Sequence, residues 1–511
     1  MKHFRLYLMV LLIPFQQIRG ATYNILDFGA RGDGLTLNTK AIQQAIDKCR
    51  QDGGGTVIVP AGIFLSGTLY LCSHFELQLQ AGAMLKGSPR LEDYARAASV
   101  HLGLLYAMNL VDITLSGPGN IDGNGDVFFR LDTAKKIDGP GTRFTRQREH
   151  FREVKEGIGD GPVVPLDRPY QLIIFSGCRN VTVRDLLISN GSFWTLHFAD
   201  CDAVHVSGIR LFNNMMVPNA DGIDVTSCTN VTITGCDIRA GDDAIAITGY
   251  DHHFEIPGFQ HLRHPSENIQ VSNCNLQSYS SGIRIGFLDQ NSVRNIHVSN
   301  VNITNSTRGI GLFLRDEGSL ENIFFSNIFI ETTLRTGDWW GNGEPIHISA
   351  VRGKPDGKLG KISHVRFDHI ICRGENGILL FGSAESEPED IAFRDISFEL
   401  VDSKLNELAG GNVDLRGCLA DSLKLFSRDI PGFLAEHVSG LLIDHFTLTW
   451  TGTRMPFFTH GIEISHFRHV RIHSFQGAAS PLARGAYSIF AHEGKDLVTD
   501  DKQGLGLRHV Q

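Results

Sequence analysis

Four aspartates fall within two short segments of this chain, Asp221 and Asp224 in Asn219-Ala-Asp-Gly-Ile-Asp224 and the adjacent Asp242 and Asp243 in Gly241-Asp-Asp-Ala-Ile-Ala-Ile247. Carboxyl groups brought together cannot all ionise at one pH, because like charges repel and raise at least one pKa. One then stays protonated while another is charged, and those are the two states needed to break an acetal bond: an acid for the departing oxygen, and a base or nucleophile at the carbon. Trp194 and His197, in Ser192-Phe-Trp-Thr-Leu-His197, precede the acids, and Arg284 follows them. An aromatic face such as Trp194, or the pair Trp339-Trp340, suits the apolar face of a sugar ring. Glycines on either side of Trp339-Trp340 predict that both tryptophans are exposed.

Whether these residues meet depends on the elements that carry them. Asn-Val and Asn-Ile pairs recur at Asn180, Asn230, Asn268, Asn295 and Asn322, with Ala203 in the slot between the first two. The steps are 23, 27, 38, 27 and 27 residues, a period near 27 with one insertion. Each unit holds short β-branched alternating runs, such as Val181-Thr-Val183 and Val231-Thr-Ile233, separated by turn residues. The period is too short for a β-propeller blade, and no unit contains a helix-length pattern. The reading is an all-β parallel β-helix whose coils stack at about 4.8 Å. One capping helix is predicted over about 38–50, where Ala41, Ile42, Ala45, Ile46 and Cys49 share a face.

Aligning the units puts Ile223, Val225, Ile245, Ile247, Ile283, Ile285, Ile346 and Ile348 inward. The outward columns are then Trp194, Asp221, Asp243, Ser281, Arg308 and Glu344, and beside them His197, Asp224, Ala246, Arg284, Gly311 and His347. Alternation predicts that both columns face solvent. A structural surface would fill such columns with Thr, Asn or Ser, so stacked acids point to a site. Its predicted catalytic residues are Asp221, Asp242 and Asp243. Its predicted substrate-binding residues are Trp194, His197, Asn219, Asp224, Arg284, Arg308, Trp339, Trp340, Glu344 and His347.

The rest of the composition narrows the class. Residues 1–20 read as a secretory signal peptide, with Lys2, His3 and Arg5 before the apolar run 6–15. Residues 21–511 read as one β-helix domain, in a protein that is secreted or periplasmic. A formal net charge of −9 argues against nucleic acid as a partner, and no later segment is apolar enough to span a membrane. The nine cysteines, an odd number beside apolar strand residues, read as small buried thiols rather than disulfides. Two long loops, about 126–168 and 249–266, are expected to wall the site. His252, His253, His261 and His264 in the second read as surface contacts, and neither a metal nor another cofactor is expected.

Asp27-Phe-Gly-Ala-Arg-Gly-Asp-Gly34, followed by Asn38-Thr-Lys-Ala-Ile-Gln43, resembles the entry segment of β-helix pectin enzymes. The segments carrying Trp194, Asp221, Asp242 and Asp243 are similar, in order and spacing, to bacterial members of glycoside hydrolase family 28, the polygalacturonases. The family's NTD and GDD signatures fall on Asn219 to Asp221 and Gly241 to Asp243. The resemblance implies a right-handed parallel β-helix and an inverting hydrolase, with Asp242 as general acid and Asp221 and Asp243 activating water. It implies a polysaccharide or oligosaccharide substrate. Two signatures are missing. The family's GHG histidine is replaced by Ser281, and its RIK cations, which bind the galacturonate carboxylate, fall on Gly311 and Phe313. Arg284 and Arg315 are the candidates to restore that charge, and neutral sugars are in play as substrates. The rivals are a polysaccharide lyase, which would want a basic residue and calcium, and a carbohydrate-binding β-helix that would gain nothing from three crowded acids.

Overall fold

The computed structural model describes residues 20–511 apart from 138, 155–160, 250–263, 289–290 and 501–503. The signal segment up to residue 19, most of the 249–266 loop, and His252, His253 and His261 therefore lie outside the described residues. A coil is built from three short strands, for example Ile223–Thr226, Thr229–Thr234 and Asp237–Ala240, and each strand pairs in parallel with its counterpart in the next coil. Among the described residues, thirty-four strands are linked this way. This is the parallel β-helix that the repeat predicts.

The repeating Asn has a conformational reason. Asn180, Asn230, Asn268, Asn295 and Asn322 have φ between 56° and 59°, and Ala203, in the same slot, has φ 56°. Asn enters this left-handed region at less cost than other residues with a Cβ, so it is favoured where the chain turns between strands. Its amide also bonds along the helix axis. Asn268 donates to Asn230 at 3.3 Å, Asn295 to Asn268 at 3.2 Å and Asn322 to Asn295 at 3.2 Å. A second ladder runs Asn327 to Asn300 to Asn273.

Inside the coils the aliphatic columns are as predicted: Ile223, Val225, Ile245, Ile247, Ile283, Ile285, Ile346 and Ile348 are fully buried. Aromatic residues stack there too, with the rings of Phe325, Phe367 and Phe393 each 4.8 Å from the next and nearly parallel. That separation matches the coil rise, so one ring fills each level. All nine cysteines are buried and unbridged. The helix Thr39–Gln51 closes the N-terminal end, with Ile42, Ala45, Ile46 and Cys49 buried against the first coil. It covers apolar residues that an open solenoid end would expose.

Three excursions leave the helix on one side. Residues 126–168 include an antiparallel pair, Phe129–Ala134 with Val163–Pro165, and carry Phe151 and Arg152 into a buried position. The second excursion holds Leu334, Trp339 and Trp340. The third contains the antiparallel pair Asn412–Asp414 with Leu425–Ser427. Phe151, Leu334, Ala409 and Leu425 pack together where the three meet.

Asn295→Val would put a β-branched residue at φ 59° and remove the side-chain bonds on both sides. We expect a loss of about 1–3 kcal/mol, visible as a lower urea midpoint. Asn295→Gly should lose less, because it keeps the backbone conformation.

Candidate active site

The predicted register holds strand by strand. His197 pairs with Asp224, Asp224 with Ala246, Ala246 with Arg284, Arg284 with Gly311, and Gly311 with His347. In the neighbouring column Ser281 pairs with Arg308. Trp194, Asp221 and Asp243 follow on one line, because Leu196, Ile223 and Ile245 two residues beyond them are paired in succession. Gly222 permits the close approach. A Cβ there would strike the Ala244 carbonyl of the next coil and the Ile238 side chain of its own.

Oxygens of Asp221, Asp242 and Asp243 lie within 4.8 Å of one another. They line a cavity of about 150 Å³ together with Trp194, Asn219 and Arg284. Asp242 accepts from the Asn219 backbone N–H at 3.2 Å and from that of Asp243 at 3.1 Å. Burial, with the charge of Asp243 adding to it, pushes the Asp242 carboxyl up to about 7. Asp243 is held differently. It accepts from the Ser280 hydroxyl at 2.8 Å, from the Ser281 N–H at 3.0 Å and from Arg284 Nε. Burial, then the charges of Asp224, Asp242 and Asp243, raises Asp221 well above the carboxylate range, and its Oδ1 has no hydrogen-bond partner among the described residues. The cluster thus joins a protonatable acid, a carboxylate bound to a cation, and an unsatisfied buried oxygen, which is the acid and base inventory of acetal cleavage.

The cations of the cavity are already engaged. Arg284 bonds Asp243, Arg308 Nε bonds Glu344 at 2.9 Å, and Arg416 bonds Asp414 at 2.8 Å and Asp338 at 2.9 Å. The remaining lining is Ser280 and four aromatic rings, Trp194, Phe287, Phe313 and Trp340. Arg416 stacks over the Trp340 ring at 4.6 Å. Behind it Arg152 donates to the Trp339 and Gly341 carbonyls and lies 3.6 Å from Asp414, so the three excursions form a single wall.

Several expectations need correction. The outward columns do not face solvent throughout: His197, Asp224, Arg308, Glu344 and His347 are buried, because the excursions cover the shelf. Asp224, Glu344 and His347 do not line the cavity. Glu344 accepts from His347 Nδ1 at 2.8 Å. Burial pushes its carboxyl up, but Arg308 and His347 outweigh that and hold it at about 2. This trio anchors Arg308. His197 also lies outside the cavity lining. Burial lowers it to about 3, so it is a neutral ring, bonded to Thr226 at 2.9 Å and packed edge-on against Trp194 at 4.9 Å. Trp339 is not exposed. It is 2 % accessible and packs on Tyr279, whereas Trp340 is half-buried in the cavity lining. Arg315 cannot supply a free cation, because it is buried on the Leu314 and Ser349 carbonyls and the Ser349 hydroxyl.

Sequence reading missed Asp414, Arg416, Phe287 and Arg168. The first two come from an insertion outside the repeat, so no register pointed to them. Arg168 holds the Asn219 side chain at 3.0 Å and two carbonyls nearby, and only tertiary packing brings it there.

Fold and site together define a right-handed parallel β-helix with a buried acid cluster on its outer shelf. Residues 165–404 match the family model described as glycosyl hydrolases family 28, and residues 22–150 match one described as rhamnogalacturonase A/epimerase, pectate lyase-like. A probable polygalacturonase of Vitis vinifera is 30 % identical over 287 residues, which cover 52 % of this chain and 52 % of that protein. An exo-poly-alpha-D-galacturonosidase of Dickeya chrysanthemi is 30 % identical over 251 residues, covering 43 % and 41 %. The chain thus spans about half the length of the curated relatives it matches. Among solved structures, a family 28 exopolygalacturonase of Yersinia enterocolitica superposes with a TM-score of 0.60 at 19 % identity, covering 88 % of this chain and 78 % of that one. A hyperthermoactive exopolygalacturonase of Thermotoga maritima gives 0.54 at 22 % identity, covering 91 % and 94 %. The chain is similar to glycoside hydrolase family 28 over residues 165–404, the stretch that holds its NTD and GDD segments.

The raised Asp242 carboxyl has a consequence for stability. Between the unfolded carboxylate range near 4 and about 7 the folded state holds a proton that the unfolded chain has lost, so stability falls as pH rises through that window. Asp242→Asn removes the cost. Its melting temperature should exceed that of the parent at pH 8, and the difference should shrink towards pH 4.

Proposed function

We propose that this chain is a glycoside hydrolase that cleaves a glycosidic bond in a pectin-related polysaccharide or oligosaccharide with inversion at the anomeric carbon. The observation that carries the reading is the convergence of Asp221, Asp242 and Asp243 in a cavity lined by aromatic rings. Asp242, protonated up to about pH 7, gives its proton to the departing glycosidic oxygen. Asp221 and Asp243 hold a water that attacks the anomeric carbon as the carbon–oxygen bond breaks, and the proton the water loses passes to this pair. Trp194 and Trp340 stack on the sugar. The family 28 segments support the roles of the acids, and the organisation of the chain as one exported β-helix domain belongs to the same proposal.

The acid oxygens are closer together than the roughly 6.5–9.5 Å between the carboxyls of most inverting glycosidases. In this reading, therefore, the attacking water, on the sugar face opposite the departing oxygen, is shared by the Asp221 and Asp243 carboxyl pair rather than held by one carboxylate at long range, and Asp243 takes its proton. The named relatives are polygalacturonases, but the cavity favours a neutral sugar at the cleavage point. Its arginines are committed to protein carboxylates, and the positions of the family's uronate-binding cations fall on Gly311 and Phe313.

Asp242→Asn should reduce hydrolysis by roughly a thousandfold or more while the melting curve stays cooperative; an active variant would end the assignment. Activity of the parent should fall as pH rises through about 7, as the acid loses its proton. NMR of the first product formed should show the opposite anomer to the substrate; the same anomer would make one of the acids a nucleophile. A chelator-sensitive rise in ultraviolet absorbance from unsaturated product would instead mark a lyase.

A further inference from the structure

At the C-terminal end of the solenoid a different set of residues occupies a left-handed corner. His437, His466, Glu493 and His509 have φ of 51°, 52°, 52° and 52°. They stand above one another on successive coils, since Glu436 and Val438 pair with Ser465 and Phe467, Ser465 with His492, and His492 with Arg508. The Asn ladders of the central coils show what such a corner holds when its task is only conformational. Here it holds imidazoles and a carboxylate.

Their contacts form a donor set. The His437 and His466 rings stack at 4.5 Å, and ligand atoms of Glu436, His437 and His466 lie within 4.8 Å of one another. Glu493 holds His466 Nε2 at 2.7 Å. A ring that donates one N–H to a carboxylate presents its other nitrogen as a lone pair, the arrangement typical of metal-bound histidine. His437, His466 and Glu493 line a groove of about 480 Å³ that is large enough for an ion with its waters, and Glu436 lies within reach of both rings beside it. Of the nearby cations, Arg468 is paired with Glu387 at 2.5 Å and Lys495 borders the groove; Arg428 holds one oxygen of Glu436 at 3.2 Å and Glu463 at 3.1 Å, which leaves the other Glu436 oxygen for an ion.

We infer that Glu436, His437 and His466 form a binding site for one divalent first-row transition ion of the zinc class, with Glu493 orienting His466. Two imidazoles and one carboxylate suit such an ion, whereas calcium or magnesium would want an all-oxygen set. The ion ties neighbouring coils late in the solenoid and stabilises them by binding only the folded chain. This site is remote in sequence from the acid cluster and does not rest on the hydrolase reading.

The test is titration of the full chain with zinc chloride by calorimetry, alongside melting curves with and without the metal. One equivalent should bind and raise the melting temperature, and cobalt(II) should give a visible ligand-field band. His437→Asn and His466→Asn keep a residue suited to the left-handed corner, so the fold should survive. Each should weaken zinc binding by roughly tenfold or more and abolish the thermal shift. Absence of binding to the parent, or binding unchanged in both variants, would overturn the site.

Discussion

Each coil of this protein is hydrogen-bonded through its backbone to the coils on either side, and that pairing decides where every side chain lies. Once a corner residue enters the left-handed region, the next strand begins, and its alternation sends successive residues inward and outward without further choice. Residues at equal distances from their corners must therefore stack about 4.8 Å apart whether or not they are compatible. Ile, Val and Phe accept this, and the parallel rings of Phe325, Phe367 and Phe393 are its plainest expression. Asn also accepts it, because its amide is both donor and acceptor and can bond up and down the axis.

Aspartates do not. The column carrying Asp221 and Asp243, with Asp242 and Asp224 beside it, concentrates negative charge in a place that burial makes worse. The surroundings offset only part of this. Arg284, Ser280 and a backbone N–H satisfy Asp243, whereas Asp221 keeps an oxygen with no partner among the described residues. A long solenoid core can carry such a local cost, and crowded acids held in such different surroundings are a common mark of a functional site.

What turns an exposed shelf into an enclosed cavity is the set of excursions from the helix. Arg152 is fully buried and reaches the carbonyls of the Trp339 loop as well as Asp414 of the later insertion, so segments far apart in the chain are tied at one guanidinium. Arg416 completes the tie and holds the Trp340 ring at the cavity. These ties also use up the cations that could otherwise have met a charged sugar.

The amino-acid sequence alone determined the coil period, the inward aliphatic columns, the capping helix and the alignment of Trp194, Asp221, Asp243, Arg284 and Arg308, because all of these follow from counting residues between corners. It also marked the acids themselves, since nothing structural recommends stacked carboxylates. Tertiary structure alone decided which outward residues see the cavity. His197, Asp224, Glu344 and His347 are in register yet covered, Trp339 is turned into the packing, and Asp414, Arg416 and Arg168 arrive from outside the repeat. Register is a local backbone property repeated many times, whereas enclosure depends on how non-repeating segments fold back over the shelf, and no residue count carries that information.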